Sequence, residues 1–149
     1  MQAAVSRRAM LIMAAAGWLG AASAAQAAPM TFDVPLSGSE QVPPVDTSGS
    51  GTAHLTYDPH TRMLKWSIDY SGLSSPVTMA HFHRGAKGQN GPVVIWLTKR
   101  GEPVSSPITG HDKLTAAQAK QFMAGEWYIN VHTKDHPAGE IRGQVVPKA

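Results

Sequence analysis

The sequence contains no cysteine among its 149 residues. This absence excludes disulfide bonds, metal sites built from thiolates and cysteine nucleophiles. Without cross-links, the folded state must be stabilised by packing alone, or by packing together with a metal ion held by other side chains.

Clusters of lysine and arginine are also lacking. The chain has 13 basic and 10 acidic residues, and two of the basic residues, Arg7 and Arg8, precede residue 28. Residues 28–149 therefore carry 11 basic and 10 acidic residues, a net charge of +1. Scattered charges of both signs argue against a nucleic-acid-binding surface and against adsorption to a membrane through a polybasic patch. We expect no nucleic-acid partner, and the remaining candidates are a protein or a metal ion.

The single long apolar run lies at the N-terminus. Arg7 and Arg8 precede apolar residues 9–19, and small residues follow up to Ala25-Gln26-Ala27. This order predicts a signal peptide over residues 1–27, cleaved after Ala27, and a periplasmic or secreted protein. The run is too short for a membrane span, and we expect no membrane span in residues 28–149 either. The double arginine also resembles a twin-arginine export signal, which leaves the export route open.

Residues 28–149 predict one all-β domain. Short segments of alternating polarity recur between Gly- and Pro-rich turns, and Thr115 with Gln118 fits a capping box that opens a short helix ending before Gly125. Residues 93–97 form a continuous apolar run, typical of a strand buried on both faces. We predict an antiparallel Greek-key or immunoglobulin-like β-sandwich or barrel with one short helix. The predicted strands are residues 30–36, 48–57, 62–70, 77–84, 93–97, 126–133 and 140–146.

Motifs for hydrolytic enzymes are missing. The sequence has no Gly-x-Ser-x-Gly nucleophile elbow, and the glycines of residues 85–92 are not followed by the Lys-Ser/Thr pair and helix of a phosphate-binding loop. Catalytic residues are therefore unknown. If the protein is an enzyme, the class that these absences leave open is a copper-dependent oxidoreductase.

Five ordered segments resemble the CHRD domain, the module named after chordin. They are Tyr70-Ser71-Gly72-Leu73, Ala80-His81-Phe82-His83-Arg84-Gly85, Gly88-Gln89-Asn90-Gly91-Pro92-Val93-Val94, Tyr128-Ile129-Asn130-Val131-His132-Thr133 and Pro137-Ala138-Gly139-Glu140-Ile141-Arg142-Gly143-Gln144. The resemblance covers nearly all of residues 30–146. It implies an extracytoplasmic domain with an immunoglobulin-like or superoxide-dismutase-like fold. In animals the family occurs in proteins that bind growth factors, and for bacterial single-domain members it implies no settled activity.

Four histidines are candidate ligands for copper or zinc. His81 and His83 are two residues apart and leave one face of a strand, and His132 can join them if its strand is a neighbour in the correct register. His136, in the following turn, is a fourth candidate. Imidazole nitrogen suits both metals.

Other polar side chains are candidates for supporting roles. Asn130 shares the strand face of His132, and Asp135 or Glu140 could orient a ligand imidazole. Glu140 and Arg142 share a face and could brace the Gly-rich loop of residues 85–92.

Two alternatives to the metal-binding module stay open. The histidines could instead bond to backbone carbonyls and pin the strand to the loop without any metal. In the other direction, copper-zinc superoxide dismutases are also Greek-key sandwiches with a His-x-His strand, which allows a copper-dependent, dismutase-like redox protein. This sequence lacks their disulfide and their long zinc loop.

Overall fold

The computed structural model describes residues 25–148. Apart from Ala25 to Ala27, the predicted signal peptide lies outside the described residues, so it stays a prediction. Among residues 25–148, no helix has the length and apolar character needed to cross a bilayer.

Eight antiparallel strands form one sheet that curls into a half-barrel, with one short helix, which confirms the predicted fold class. The elements are β1 (Met30–Ser37), β2 (Ser50–Asp58), β3 (Met63–Ser71), β4 (Val77–Arg84), β5 (Val93–Trp96), β6 (Ile108–Lys113), α1 (Ala116–Met123), β7 (Trp127–Thr133) and β8 (Ile141–Gln144). The order of strands across the sheet is β5-β4-β7-β8-β1-β2-β3-β6.

The helix follows its predicted capping signals. The Thr115 hydroxyl accepts from the backbone N–H of Gln118, and the Gln118 side chain accepts from the backbone N–H of Thr115. Both bonds satisfy donors that the first helical turn leaves free. The chain leaves the helix at Gly125, whose φ of +74° is readily adopted only by glycine.

Two strand predictions need correction. Residues 93–97 were expected to be buried on both faces, but β5 is an edge strand and Val93 is 44% exposed. Strand β6 was not predicted, because its residues are mostly polar and exposed. It forms because its backbone pairs with β3 from Met63 to Ile68.

The two faces of β4 and β7 differ in chemistry. One face carries the hydrophobic core, where the Phe82 ring contacts Trp66 and Trp127 at centroid distances of 5.9 and 5.5 Å. The other face is polar yet buried, since every residue of β7 is buried. Loops close over this polar face, and the candidate site lies there.

Candidate functional site

The register between β4 and β7 brings three histidines together. These strands are antiparallel neighbours, with Met79 opposite His132 and His81 opposite Asn130. Residues directly opposite one another share a face, as do residues two apart on one strand. His81, His83 and His132 therefore all lie on the polar face.

The three imidazoles are close and almost fully buried. Nδ1 of His81 lies 3.2 Å from Nε2 of His132. Each of the three histidines offers one ring nitrogen that lies within 4.8 Å of those offered by the other two. The exposed fractions are 3% for His81, 8% for His83 and 7% for His132. Ligand nitrogens of a tetrahedral zinc ion lie about 3.3 Å apart, so small side-chain movements would bring the set to coordination distance.

Backbone carbonyls fix the tautomers of two of these rings. Nδ1 of His83 lies 2.9 Å from the Gly91 carbonyl oxygen, and Nδ1 of His132 lies 2.8 Å from that of Pro137. A carbonyl oxygen only accepts, so each Nδ1 carries the proton and each Nε2 presents its lone pair. Metal-binding histidines are commonly oriented in this way, by donating the other ring N–H to an acceptor.

Two imidazole nitrogens remain without a hydrogen-bond partner. Within residues 25–148, Nε2 of His81 and Nε2 of His83 are both buried and have none. An unsatisfied buried acceptor costs about 1–3 kcal/mol, and native proteins contain few of them. A purely structural role, in which the histidines attach the strands to the loops, explains the contacts of Nδ1 of His83 and of His132. It does not explain why Nε2 of His81 and Nε2 of His83 are buried without a partner. The donor set fits a metal ion.

Burial keeps the three imidazoles neutral. Burial, together with the neighbouring His132 and His83, lowers the pKa of His81 to about 4. Burial also lowers the pKa of His83 and of His132, although the bonds to Gly91 and Pro137 act in the opposite direction. At neutral pH, protons therefore do not compete with a metal for these lone pairs.

We expect the stability of the metal-free protein to fall as the pH is lowered from about 6.5 toward 4. Above pH 6.5 the histidines are neutral in both states. Below it, the unfolded chain takes up protons that the folded cluster resists, which costs at most about 1.4 kcal/mol per pH unit for each histidine. Thermal unfolding of His81→Leu should show a shallower decline of stability with falling pH than wild type. Equal slopes for wild type and His81→Leu would contradict the cluster's neutrality.

Aromatic rings wall the site. Trp96 meets the His81 ring edge-on at 4.2 Å, and Tyr128 stacks on His83 at 4.9 Å with 9° between the planes. Neither residue is among those that the sequence pattern predicts for the site. The period of two along β7 is the signal that could have found Tyr128, because it places Tyr128 on the face of Asn130 and His132.

Arg142 holds the Gly-rich loop over the cluster. Its guanidinium donates to the carbonyl oxygens of Gln89 at 2.7 Å and Ala86 at 3.3 Å and to Oδ1 of Asn90 at 3.1 Å. The same group lies 3.5 Å from the centroid of the Tyr128 ring. The loop in turn supplies the Gly91 carbonyl that orients His83.

Arg142→Lys is expected to loosen this loop, because one ammonium group cannot reproduce the planar fork of donors. Losing one charged hydrogen bond, worth about 1.5–3 kcal/mol, should speed amide exchange at Gly91 by at least about tenfold. Arg84→Lys is the matched control, since Arg84 makes only an exposed ion pair with Glu126. Unchanged exchange at Gly91 would contradict the bracing role.

Glu140 reaches other segments. Its carboxylate is fully buried and accepts four hydrogen bonds, from the hydroxyls of Thr47, Ser74 and Thr133 and from the Ser74 backbone N–H. Burial raises the pKa of Glu140, but these bonds outweigh it and lower the pKa to about 2. The residue is a buried anion that ties β7 to two loops.

The remaining predicted residues lie around the cluster. Asn130 is buried, accepts from Nε2 of Gln41 at 2.7 Å and donates to the Ala138 carbonyl at 3.2 Å. Asp135 is exposed, and its backbone N–H donates to Ser75. His136 is half-buried and lies outside the three-histidine set. Backbone carbonyls orient His83 and His132 in the place where a carboxylate was expected.

Comparison with known proteins supports the sequence resemblance. A family model described as CHRD domain matches residues 32–145, which is more than half of the chain. No curated protein and no solved structure matches it. The match to the family model confirms the expected resemblance to the CHRD domain.

Proposed function

Since the chain belongs to the CHRD domain family, we propose that it is an exported binding module that holds one copper or zinc ion through His81, His83 and His132. One observation carries the proposal: Nε2 of His81 and Nε2 of His83 are buried without hydrogen-bond partners, in a cluster where one ring nitrogen from each of the three histidines lies within 4.8 Å of the others. Three imidazole nitrogens form a normal ligand set for either metal.

The supporting contacts have the form expected around a metal ligand. Loop residues 85–92 and 134–139 each supply one carbonyl that fixes a tautomer, and Arg142 holds the first of these loops in place. The site is thus built by packing that exists without the metal, which reduces the ordering cost of binding.

Titration of the metal-free chain from residue 28 onward tests the proposal. We expect one equivalent of copper or zinc to bind, and the melting temperature to rise with metal concentration because only the folded state presents the site. A chelator should reverse the rise. Failure of both metals to bind at micromolar concentration would overturn the proposal.

Export is the second part of the proposal, supported by the family and by the residues before position 28. The mature protein recovered from the periplasm or the medium should begin at Ala28. Recovery of the full-length chain from the cytoplasm alone would contradict export.

A copper-dependent redox activity is the second candidate. The contact between His81 and the half-buried Trp96 favours it, because this ring connects the cluster with the surface. The decay of superoxide in the presence of the copper-loaded protein distinguishes the two. If superoxide decays no faster than with the metal-free protein, the redox candidate fails and the binding module remains. Catalytic decay of superoxide that is lost in His83→Leu would establish the enzyme.

A further inference from the structure

The charge around the histidine cluster bears on which ion it can hold. Within residues 25–148, no carboxylate joins the set of ligand atoms. Two guanidinium groups lie behind the aromatic rings that wall the site. Arg142 lies 3.5 Å from the centroid of the Tyr128 ring, which stacks on His83. Arg100 lies 4.2 Å from the centroid of the Trp96 ring, which contacts His81. The site combines neutral ligands with positive surroundings.

A divalent ion is poorly matched to these surroundings. Three neutral imidazoles would leave its double charge uncompensated in a buried position, where desolvation is costly and repulsion by nearby cations is weakly screened. A monovalent ion halves the repulsion and reduces the desolvation cost by more, because that cost grows with the square of the charge. Cu(I) is the monovalent ion that imidazole binds well.

A soft donor lies next to the cluster. The register places Met79 directly opposite His132 on the polar face, two residues before His81. The Cβ atoms of residues so paired are about 4.5–5.5 Å apart, within reach of a flexible thioether. Thioether sulfur is a ligand for Cu(I), whereas zinc sites in proteins are built from thiolate, imidazole and carboxylate ligands.

We propose that this site is selective for Cu(I) over Cu(II) and Zn(II), with His81, His83 and His132 as ligands and the Met79 thioether as a fourth donor. The inference rests on the proposed metal-binding function and specifies the ion. No electron transfer is involved, because the ion binds and leaves in the same oxidation state.

Competition between metals tests the selectivity. Metal-free protein is titrated anaerobically with Cu(I) against the chelator bicinchoninate, and separately with Cu(II) and Zn(II) against chelators of known affinity. We expect Cu(I) to bind at one equivalent and at least about 1,000-fold more tightly than Zn(II). Zinc or Cu(II) binding as tight as that of Cu(I) would overturn the selectivity and leave the proposed function standing. Binding of none of the ions would overturn both.

Substitution of Met79 tests the fourth donor. Met79→Leu keeps the volume of the side chain and removes the sulfur, so the Cu(I) affinity should fall at least about tenfold while the Zn(II) affinity stays within about twofold. Met63→Leu, at a half-buried methionine on β3, is the matched control and should change neither. An equal loss for both ions would indicate a purely structural role, and an unchanged Cu(I) affinity would exclude Met79 as a ligand.

Discussion

Replacement of His81 and His83 together by leucine is expected to lower the metal affinity at least about 100-fold while the domain still folds. Both residues lose a ligand nitrogen, and neither Nε2 has a hydrogen bond to lose. The substitutions do remove the contacts of Nδ1 of His83 with the Gly91 carbonyl and of Nδ1 of His81 with Nε2 of His132. A hydrogen bond contributes about 0.5–1.5 kcal/mol, so we expect the free energy of unfolding of the metal-free variant to stay within about 3 kcal/mol of wild type. Calorimetric titration and chemical denaturation measure the two quantities.

The controls separate the cluster from the other histidines. The same double substitution at exposed His60 and His111 should leave the metal affinity unchanged. His136→Ala should do the same, because His136 lies outside the set of three. A large loss of stability in the His81/His83 variant, with metal binding retained, would support the purely structural role of these histidines.

Glu140→Ala is expected to lower the free energy of unfolding by about 3–5 kcal/mol. The substitution leaves the Ser74 N–H and three hydroxyls without their acceptor and opens a cavity between β7 and two loops. Urea denaturation measures the loss. Glu102→Ala is the matched control at an exposed carboxylate and should change stability by less than about 0.5 kcal/mol.

The pH dependence gives Glu140 a second readout. Since its pKa is lowered to about 2, its contribution is present above about pH 4.5 and is lost as the pH falls toward 2. The Glu140→Gln variant cannot titrate, so this acid-dependent loss should be absent from it. An unaltered acid limb in Glu140→Gln would show that other groups cause the acid unfolding of the wild type.

Local patterns predicted most of the strands. The breaks at residues 71–76 and 85–92 gave the bounds of β4 at Val77–Arg84, and the predicted strands 48–57 and 62–70 correspond to β2 and β3. The capping box gave the helix, because its two hydrogen bonds join residues three apart. Each of these features depends on residues that are close in sequence, and so each is visible in the sequence.

Features that depend on distant pairing were not predictable. Strand β6 has no apolar pattern and forms because β3 offers it an edge. Residues 93–97 have the composition of a central strand, yet the chain order across the sheet leaves β5 at the edge. An apolar run indicates that side chains are buried. It does not indicate whether the strand has a neighbour on both sides in the sheet.

The site was partly predictable for the same reason. The shared face of His81 and His83 follows from a period of two, but the approach of His132 depends on the register of β4 against β7, 51 residues away along the chain. The acceptors of the His83 and His132 protons are the backbone carbonyls of Gly91 and Pro137. Every residue has a carbonyl, so residue type alone could not identify them, and a carboxylate was expected instead.

X-ray absorption at the metal edge of the loaded protein tests the central claim most directly. If one ion is held by His81, His83 and His132, the spectrum should show three imidazole nitrogens at about 2.0–2.1 Å, and this shell should be lost in the His83→Leu variant. A first shell of oxygen atoms, or a spectrum that His83→Leu leaves unchanged, would place the ion elsewhere and contradict the claim.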